Sequence, residues 1–206
     1  MNSTVDSKLI GEAWPAVRPF ENPQVYGSVE LEPRSESVVR RFAAFTLTYT
    51  AGRYGIDDSG AIRVSFRMVG DGGRLQIKDP AAPNYVTART NCAAKLILDA
   101  SPYGISARPR NKCLTVRMTG GYLEKGETIT LVFGDTIQGS PGLKLQTFAE
   151  SAFEFKVSVD PCATGHVVPL AESLEIAIVP DEPAVWKAVL PSPRRPGEDF
   201  RFGLKI

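Results

Sequence analysis

Apolar residues occupy every second position in five stretches of the chain. These stretches are residues 45–49, 62–68, 114–118, 129–133 and 153–159. A period of two is that of a β-strand with one buried face, because successive side chains point to opposite faces. Polar residues at most intervening positions, such as Thr46 and Thr48, keep the other face in water. This alternation is typical of antiparallel sheets, so the pattern predicts antiparallel strands.

Turn sequences separate these stretches. Runs rich in Gly and Asp at 57–60, 71–73 and 120–121 supply residues that tolerate positive φ. The chain has 18 glycines and 16 prolines, which interrupt every window with helical spacing, so we expect no helix longer than a single turn. Many short strands must bury their apolar faces against one another. We therefore predict an all-β protein, an antiparallel, immunoglobulin-like β-sandwich.

The pattern changes after the strand predicted at 174–179. Residues 180–183 read Pro-Asp-Glu-Pro, a stiff polar connector, and alternation then resumes at 186–190 and 200–206. Native chains rarely leave the apolar face of such a last strand exposed to solvent without a partner. We therefore expect the chain to be the amino-terminal piece of a longer protein. The alternative is that the last strand closes an edge of the first sandwich.

The domain boundaries follow from this change of pattern. We predict an amino-terminal arm at 1–25 and a β-sandwich domain at 26–182. Residues 183–206 would then begin a second immunoglobulin-like domain.

Charge and composition narrow the class of partner. Lys and Arg number 24 and Asp and Glu 23, so a net charge of +1 provides no field to gather nucleic acid or anionic lipid. No apolar run approaches the roughly 18 residues of a membrane-spanning helix, and residues 1–20 lack the basic start and apolar segment of a signal peptide. We expect no nucleic-acid partner, no membrane partner and a cytoplasmic location.

Cysteine and histidine are too scarce for most catalytic or metal centres. The chain has three cysteines and one histidine, His166. Cys113 and Cys162 are either a bridge between two sheets or, as we favour, reduced and buried thiols like Cys92. A single histidine provides no multi-histidine metal site and no obvious base for a nucleophile. We expect no catalytic residue, no metal site and no cofactor.

One loop superficially matches a phosphate-binding motif. Residues 134–140 read GDTIQGS after a predicted strand. Ser140 stands where the phosphate-binding lysine is needed, and Pro141 follows where a helix should begin. We therefore expect a structured loop without nucleotide.

Polar and aromatic residues concentrate in two regions of the sequence, at 84–89 and 134–150. The candidate binding residues are Tyr85, Arg89, Arg108, Asp135, Gln146 and Glu150. Such groups either form a polar groove or, as their ordinary role, cap strands and bridge loops.

Two more specific ideas can be tested by geometry. Glu150 and Glu154 could serve glycoside hydrolysis only at a carboxyl separation of about 5 to 9.5 Å. Residues four apart on one regular strand share a face but lie about 13 Å apart, so this pair fails unless a bulge intervenes.

A sugar-stacking surface requires its aromatic rings to share one solvent face. The candidate rings are those of Trp14, Tyr85, Tyr103 and Tyr122.

The order of several segments resembles a known family. The segments are FTLTYTAGRYGIDDSG at 45–60, NYVTART at 84–90, FGD at 133–135, GSPG at 139–142, QTFAE at 146–150, FEFKV at 153–157 and VDP at 159–161. Together they look like the amino-terminal region of the family catalogued as domain of unknown function 3604, over residues 26–206. The resemblance implies a β-sandwich leader, an immunoglobulin-like segment and then a domain similar to PHP-type metal-dependent hydrolases. Its metal ligands would lie beyond Ile206.

These observations lead to two functional hypotheses. The first is a non-catalytic, amino-terminal accessory module of a larger hydrolase-like protein, with the downstream domains as its partners. The alternative is a carbohydrate- or small-ligand-binding module. We also expect possible self-association through the apolar residues Phe200, Phe202 and Leu204.

Overall fold

The computed structural model describes residues 22–67, 69–100, 110–171, 174–183, 187–189, 195, 197, 199 and 201–205. These parts contain one short 3-10 helix, Pro23–Tyr26, and otherwise strands. The strands are β1 (Gly27–Glu32), β2 (Ser37–Val38), β3 (Phe42–Ala43), β4 (Phe45–Ala51), β5 (Ala61–Arg67), β6 (Val86–Thr90), β7 (Lys95–Asp99), β8 (Arg110–Thr119), β9 (Thr128–Phe133), β10 (Leu143–Lys144), β11 (Glu150–Asp160), β12 (Val168–Pro169), β13 (Leu174–Val179), β14 (Lys187–Val189) and β15 (Gly203–Lys205). All five alternating stretches form strands, as predicted.

Two sheets face each other. The first has the order β1-β4-β9-β6, and the second has the order β2-β13-β11-β5-β8-β7, with β12 also paired to β11. An immunoglobulin sandwich places strands A, B, E and D in one sheet and C, F and G in the other. Leaving out the hairpin β7–β8 gives this same order, with β1-β4-β9-β6 as A-B-E-D and β5-β11-β13 as C-F-G. The predicted immunoglobulin-like sandwich is confirmed, with one inserted hairpin.

One pairing differs from the antiparallel prediction. β2 pairs in parallel with β13, with Ser37 opposite Ile178 and Val38 opposite Val179. β1 and β13 run towards the same end of the sandwich. β2 follows β1 along the chain and keeps its direction on the edge of the second sheet. Its pairing with β13 is therefore parallel.

Four phenylalanines join the two sheets. Phe45 and Phe133 come from the first sheet, and Phe66 and Phe155 come from the second. The ring centroids of Phe155 lie 5.3 Å from those of Phe45, 4.9 Å from Phe66 and 5.6 Å from Phe133. All four side chains are buried. Edge-to-face packing of this kind fixes the two layers against each other.

The connections between sheets gather at two ends. We call one the pocket end: it comprises the segments 33–44, 69–85 and 134–149, which follow β1, β5 and β9. We call the other the turn end, and it includes the segments 52–60 and 120–127. At the turn end Ile56 and Leu123 form an isolated antiparallel bridge.

β14 and β15 pair with each other, with Ala188 opposite Leu204. The predicted boundary at residue 183 stays a prediction, and most of the predicted arm at 1–25 lies outside the described residues. Within the parts of the chain that the structure describes, no helix is long and apolar enough to cross a membrane.

Candidate functional site

A small pocket opens at the pocket end, between the second sheet and two loops. The register of β5 with β8 places Phe66 opposite Lys112, and the loop after β5 returns over this pair. The cavity measures about 30 Å³. It is lined by Phe66, Arg67, Gly70, Gly72, Gly73, Leu75, Lys112, Leu143, Lys144, Leu145, Gln146 and Phe153.

Lys112 holds the loop that forms one wall. Its Nζ donates hydrogen bonds of 2.6 Å to the carbonyl oxygen of Gly70 and 2.7 Å to that of Gly72. Burial lowers the pKa of Lys112, and the nearby Asp71 carboxylate opposes this shift. The ammonium group therefore sits where its charge is compensated by two carbonyl dipoles and one carboxylate.

Asp71 fastens the same loop to the segment after β10. Its Oδ1 accepts a hydrogen bond of 2.7 Å from the backbone N–H of Thr147, and its Oδ2 accepts one from the Thr147 hydroxyl. These two hydrogen bonds, that from the hydroxyl first, lower the pKa of Asp71. The two walls of the pocket are thus tied together across 76 residues of sequence.

Gln146 is the most buried polar residue of the pocket, with a relative exposure of 1%. Its Nε2 donates to the carbonyl oxygen of Phe148 at 3.1 Å and to Oε2 of Glu150 at 2.9 Å. Its Oε1 has no hydrogen-bond partner among the described residues. Glu150 in turn accepts a hydrogen bond of 3.1 Å from Nη1 of Arg67. Nearly all buried polar atoms in proteins are hydrogen-bonded, so Oε1 of Gln146, which is closed to solvent, is an exception to that rule.

Four of the six residues predicted from sequence lie at the pocket end. Gln146 lines the pocket, and Glu150 contacts it through Gln146. The carbonyl oxygen of Tyr85 accepts hydrogen bonds of 2.8 Å from the backbone N–H of Gly134 and 3.0 Å from that of Asp135. The carboxylate of Asp135 accepts hydrogen bonds of 2.6 Å from the Thr87 hydroxyl and 3.0 Å from the Ile137 N–H. Tyr85 and Asp135 therefore hold the start of the loop after β9 in place through hydrogen bonds.

The other two candidates do not join this group. Arg89 is exposed on β6, opposite Thr130 in the body of the first sheet. Arg108 lies outside the described residues.

Sequence reasoning missed Lys112 and Gly70. Lys112 continues the alternation of Leu114, Val116 and Met118, so it occupies an inward-facing position of β8. A charged residue on the apolar face of a strand is a signal that the pattern contained. Gly70 carried no such signal, because its role depends on the fold of a loop.

The carboxylates of Glu150 and Glu154 do not form a catalytic pair. The register of β11 with β13 shifts between Glu150 and Phe153, so a bulge does intervene. Glu150 is opposite the inward-facing Ile178, whereas Glu154 is opposite Glu175 on the outer face. The bulge therefore directs the two carboxylates to opposite faces of the sheet, which removes the glycoside-hydrolysis hypothesis for this pair.

The predicted aromatic surface is not formed by the rings that the structure describes. Tyr85 is half-buried at the pocket end, whereas Tyr122 is 59% exposed at the turn end. Trp14 and Tyr103 lie outside the described residues.

The three cysteines are free thiols, so the alternative of a Cys113–Cys162 bridge is wrong. Cys113 is buried, as expected, and Cys92 is half-buried. Cys162 is exposed rather than buried, because it lies in the turn after β11. His166 is also exposed. In the described parts of the chain, no group of three or more His, Cys, Asp or Glu residues is placed to hold a metal ion.

Known proteins show only a distant likeness to this chain. No protein-family model and no curated protein matches the chain. Among solved structures, one similar chain is the CBM3a-L domain with flanking linkers from the scaffoldin CipA of the Clostridium thermocellum cellulosome. It has 18% identity and a TM-score of 0.37, over 75% of this chain and 95% of that one.

Two further solved structures are similar to the same degree. A cohesin module from a Clostridium perfringens family 33 glycoside hydrolase has 12% identity and a TM-score of 0.38, over 76% of this chain and 99% of that one. AvmM, which catalyses macrocyclization in alchivemycin A biosynthesis, has 9% identity and a TM-score of 0.37, over 78% and 92%. Likeness at this level carries no argument about fold or function.

Proposed function

We propose that this chain is a non-catalytic accessory β-sandwich that binds a neutral small ligand, a carbohydrate above all, at its pocket end. The observation that carries the proposal is the pocket at Gln146, whose lining combines the apolar side chains of Phe66, Leu75 and Phe153 with the polar side chains of Lys112 and Gln146. Binding sites typically combine an apolar lining with a few polar groups that fix the ligand.

Two exposed aromatic rings support the choice of this end. Phe148 is 41% exposed, and its carbonyl oxygen accepts the hydrogen bond from Gln146. Phe42 is 44% exposed and is paired with Lys144, which lines the pocket. Rings beside a pocket can pack against the apolar face of a sugar.

A wider, open depression lies near the same end. It has a volume of about 680 Å³ and is lined by Leu31, Glu32, Pro33, Arg34, Ala44 and Thr46. This volume is in the range of small-molecule sites, whereas the pocket at Gln146 admits only a small group. The pocket end thus has two separate depressions, which share no lining residue.

Hydrogen bonds and an ion pair made by three acidic residues at or beside this end support a non-catalytic role. Glu150 is paired with Arg67, Asp135 with Thr87 and Asp71 with Thr147. A general acid or base needs a free position beside the substrate and a suitable pKa, and these carboxylates are committed to holding loops.

We further propose that the sandwich is accessory to downstream domains of a longer polypeptide. The resemblance to the family of domain of unknown function 3604 supports a hydrolase-like parent, with downstream domains as partners. The pairing of β14 with β15 is compatible with a second unit beginning at residue 183.

Nuclear magnetic resonance and an activity assay test this proposal. The ¹⁵N-labelled chain is titrated with cellotetraose, maltotetraose and mannotetraose, and we expect at least one of them to shift amide signals of the pocket end. A loss of binding in Phe148→Ala, but not in Tyr122→Phe at the turn end, would support the assignment. The proposal fails if none of the three sugars shifts a pocket-end signal, or if the chain turns over ester or phosphoester substrates reproducibly with added divalent metal.

A further inference from the structure

One edge of the second sheet is an apolar strand. In the parts of the chain that the structure describes, β7 pairs with β8 on one side and is the last strand of its sheet on the other. Leu96 and Leu98 face inward, because they are opposite buried residues of β8, yet both are only half-buried. Ile97, on the outer face, is 53% exposed. This edge therefore leaves apolar surface in contact with solvent on both faces of the strand.

The strand β1 shows how another edge of this protein is protected. It is at the edge of the first sheet, and its inward-facing Val29 and Leu31 are only 3% and 2% exposed. Its outward-facing Glu30 and Glu32 are exposed and charged. Charged side chains protect an edge strand because its backbone N–H and C=O groups could otherwise pair with another chain. The exposed middle of β7 lacks this protection, since its outward-facing residue there is Ile97.

The charged residues of β7 stand at its two ends and have opposite signs. Lys95 begins the strand and Asp99 ends it, and both are exposed on the same outer face as Ile97. Antiparallel pairing of two copies of β7 about Ile97 would place Lys95 of each copy opposite Asp99 of the other. Parallel pairing in register would place like charges opposite each other, which is unfavourable. The strand is therefore complementary to a second copy of itself in the antiparallel orientation.

We infer that β7 is the contact of a homodimer, in which the second sheets of two copies join edge to edge about a twofold axis at Ile97. Leu96 of one copy then lies opposite Leu98 of the other, and the two Ile97 side chains pack together on the outer face. Backbone hydrogen bonds hold the two strands together, and the side chains fix their register. The interface is isologous, because the same strand serves on both subunits.

The residues around the two charged ends suit this contact. Ala94 and Ala100, directly outside them, are opposite each other in the same register and carry only methyl groups. Asp99 also interacts within its own chain, and its carboxylate has acceptor sites for more than one donor. A contact through five residues is small, so we expect a reversible dimer that forms with rising protein concentration.

Sedimentation velocity over a range of protein concentrations tests the inference. We expect the wild-type chain to dimerise, and Lys95→Asp and Asp99→Lys each to raise the Kd of the dimer about tenfold or more, because each places like charges opposite each other twice. The double variant restores both opposite-charge pairs and should return the Kd to within about threefold of the wild-type value. Arg89→Glu, an exposed charge reversal on β6 of the first sheet, is the matched control and should leave the Kd unchanged. Thermal unfolding shows whether each variant folds.

A disulfide bond provides a second test that does not depend on charge. Ile97 is the residue of β7 that lies opposite its own counterpart, at a distance that a disulfide can bridge, so Ile97→Cys should crosslink the dimer under mild oxidation. The exposed Cys162 is replaced by serine in this experiment, so that it forms no crosslink of its own. Arg89→Cys in the same background should run as a monomer on a non-reducing gel.

Three results would overturn the inference. The first is a wild-type chain that stays monomeric at every concentration. The second is a dimer whose Kd does not respond to the single charge reversals or is not restored by the double variant, because association then uses another surface. The third is an Ile97→Cys protein that crosslinks no more than Arg89→Cys does.

Discussion

The hydroxyl of Tyr49 donates a buried hydrogen bond of 2.6 Å to the carbonyl oxygen of Tyr26. This bond joins the middle of the first sheet to the 3-10 helix before β1, across 23 residues of sequence. It therefore closes the edge of the sandwich where the chain enters the fold.

Tyr49→Phe should reduce the free energy of unfolding by about 1–3 kcal/mol, because it leaves the carbonyl oxygen of Tyr26 without its buried donor. Urea unfolding followed by circular dichroism measures this change. Tyr122→Phe, at a residue that is 59% exposed, is the control and should have almost no effect. Equal stability of the two variants would contradict the role assigned to Tyr49.

The same residue makes stability depend on pH at the alkaline end. Burial raises the pKa of Tyr49 well above its ordinary value of 10.0. The unfolded chain ionises this phenol at lower pH than the folded chain does, so stability is complete below about pH 10 and falls as pH rises above it. Burial also raises the pKa of Tyr26, which acts in the same direction.

Urea unfolding at pH 8, 9, 10 and 11 checks this dependence. We expect the free energy of unfolding to fall more steeply between pH 10 and 11 in the wild-type chain than in Tyr49→Phe. Parallel curves for the two proteins would show that Tyr49 does not contribute.

Much of the framework was accessible from the sequence, since alternation alone indicates which face of a strand is buried. β4, β5, β9 and β11 show this because they are central in their sheets, where inward positions must be apolar. β6 and β7 were not identified, because they lie at sheet edges, where half-buried and exposed positions weaken the pattern. β1 alternates regularly between buried and exposed positions, but it has only two large apolar residues, Val29 and Leu31, and it was also not identified. The parallel contact of β2 with β13 depends on a path between sheets that local pattern does not encode.

The candidate site was accessible only in part, for a similar reason. Gln146 and Glu150 stood out because they lie in one short polar segment. Lys112 reaches the pocket only through the pairing of β8 with β5, and Gly70 through the fold of a loop that Lys112 itself holds. Such contacts between distant residues follow from register, which the sequence indicates only weakly.

The core prediction concerns Phe155, whose ring contacts those of Phe45, Phe66, Phe133 and Phe153. Phe155→Ala should cost about 3–5 kcal/mol of stability, because it removes the ring that joins both sheets and leaves a cavity. Phe148→Ala, at an exposed ring, should cost far less. Chemical denaturation of both variants measures the difference, and similar losses would contradict the central position of Phe155.

Asp135 distinguishes a structural role from a binding role. Asp135→Ala should cost about 1–3 kcal/mol of stability, because the Thr87 hydroxyl and the Ile137 N–H lose their acceptor. We expect the Kd for the best-binding tetrasaccharide to stay unchanged. A weaker affinity at unchanged stability would restore Asp135 as a binding residue.

The domain boundary at residue 183 can be tested by truncation. Strands β1 to β13 are complete by Val179, and β14 pairs with β15, so a chain that ends at residue 182 should keep the sandwich. We expect its melting temperature to lie within a few degrees of that of the full chain. We also expect its amide signals from the pocket end to overlay with those of the full chain.

A chain that ends at residue 173 is the contrasting variant. It loses β13 with the buried Leu174, Ile176 and Ile178, and it should fail to fold, because the inner face of β11 then loses its neighbour. If removal of 183–206 alone unfolds the protein, those residues belong to the first domain.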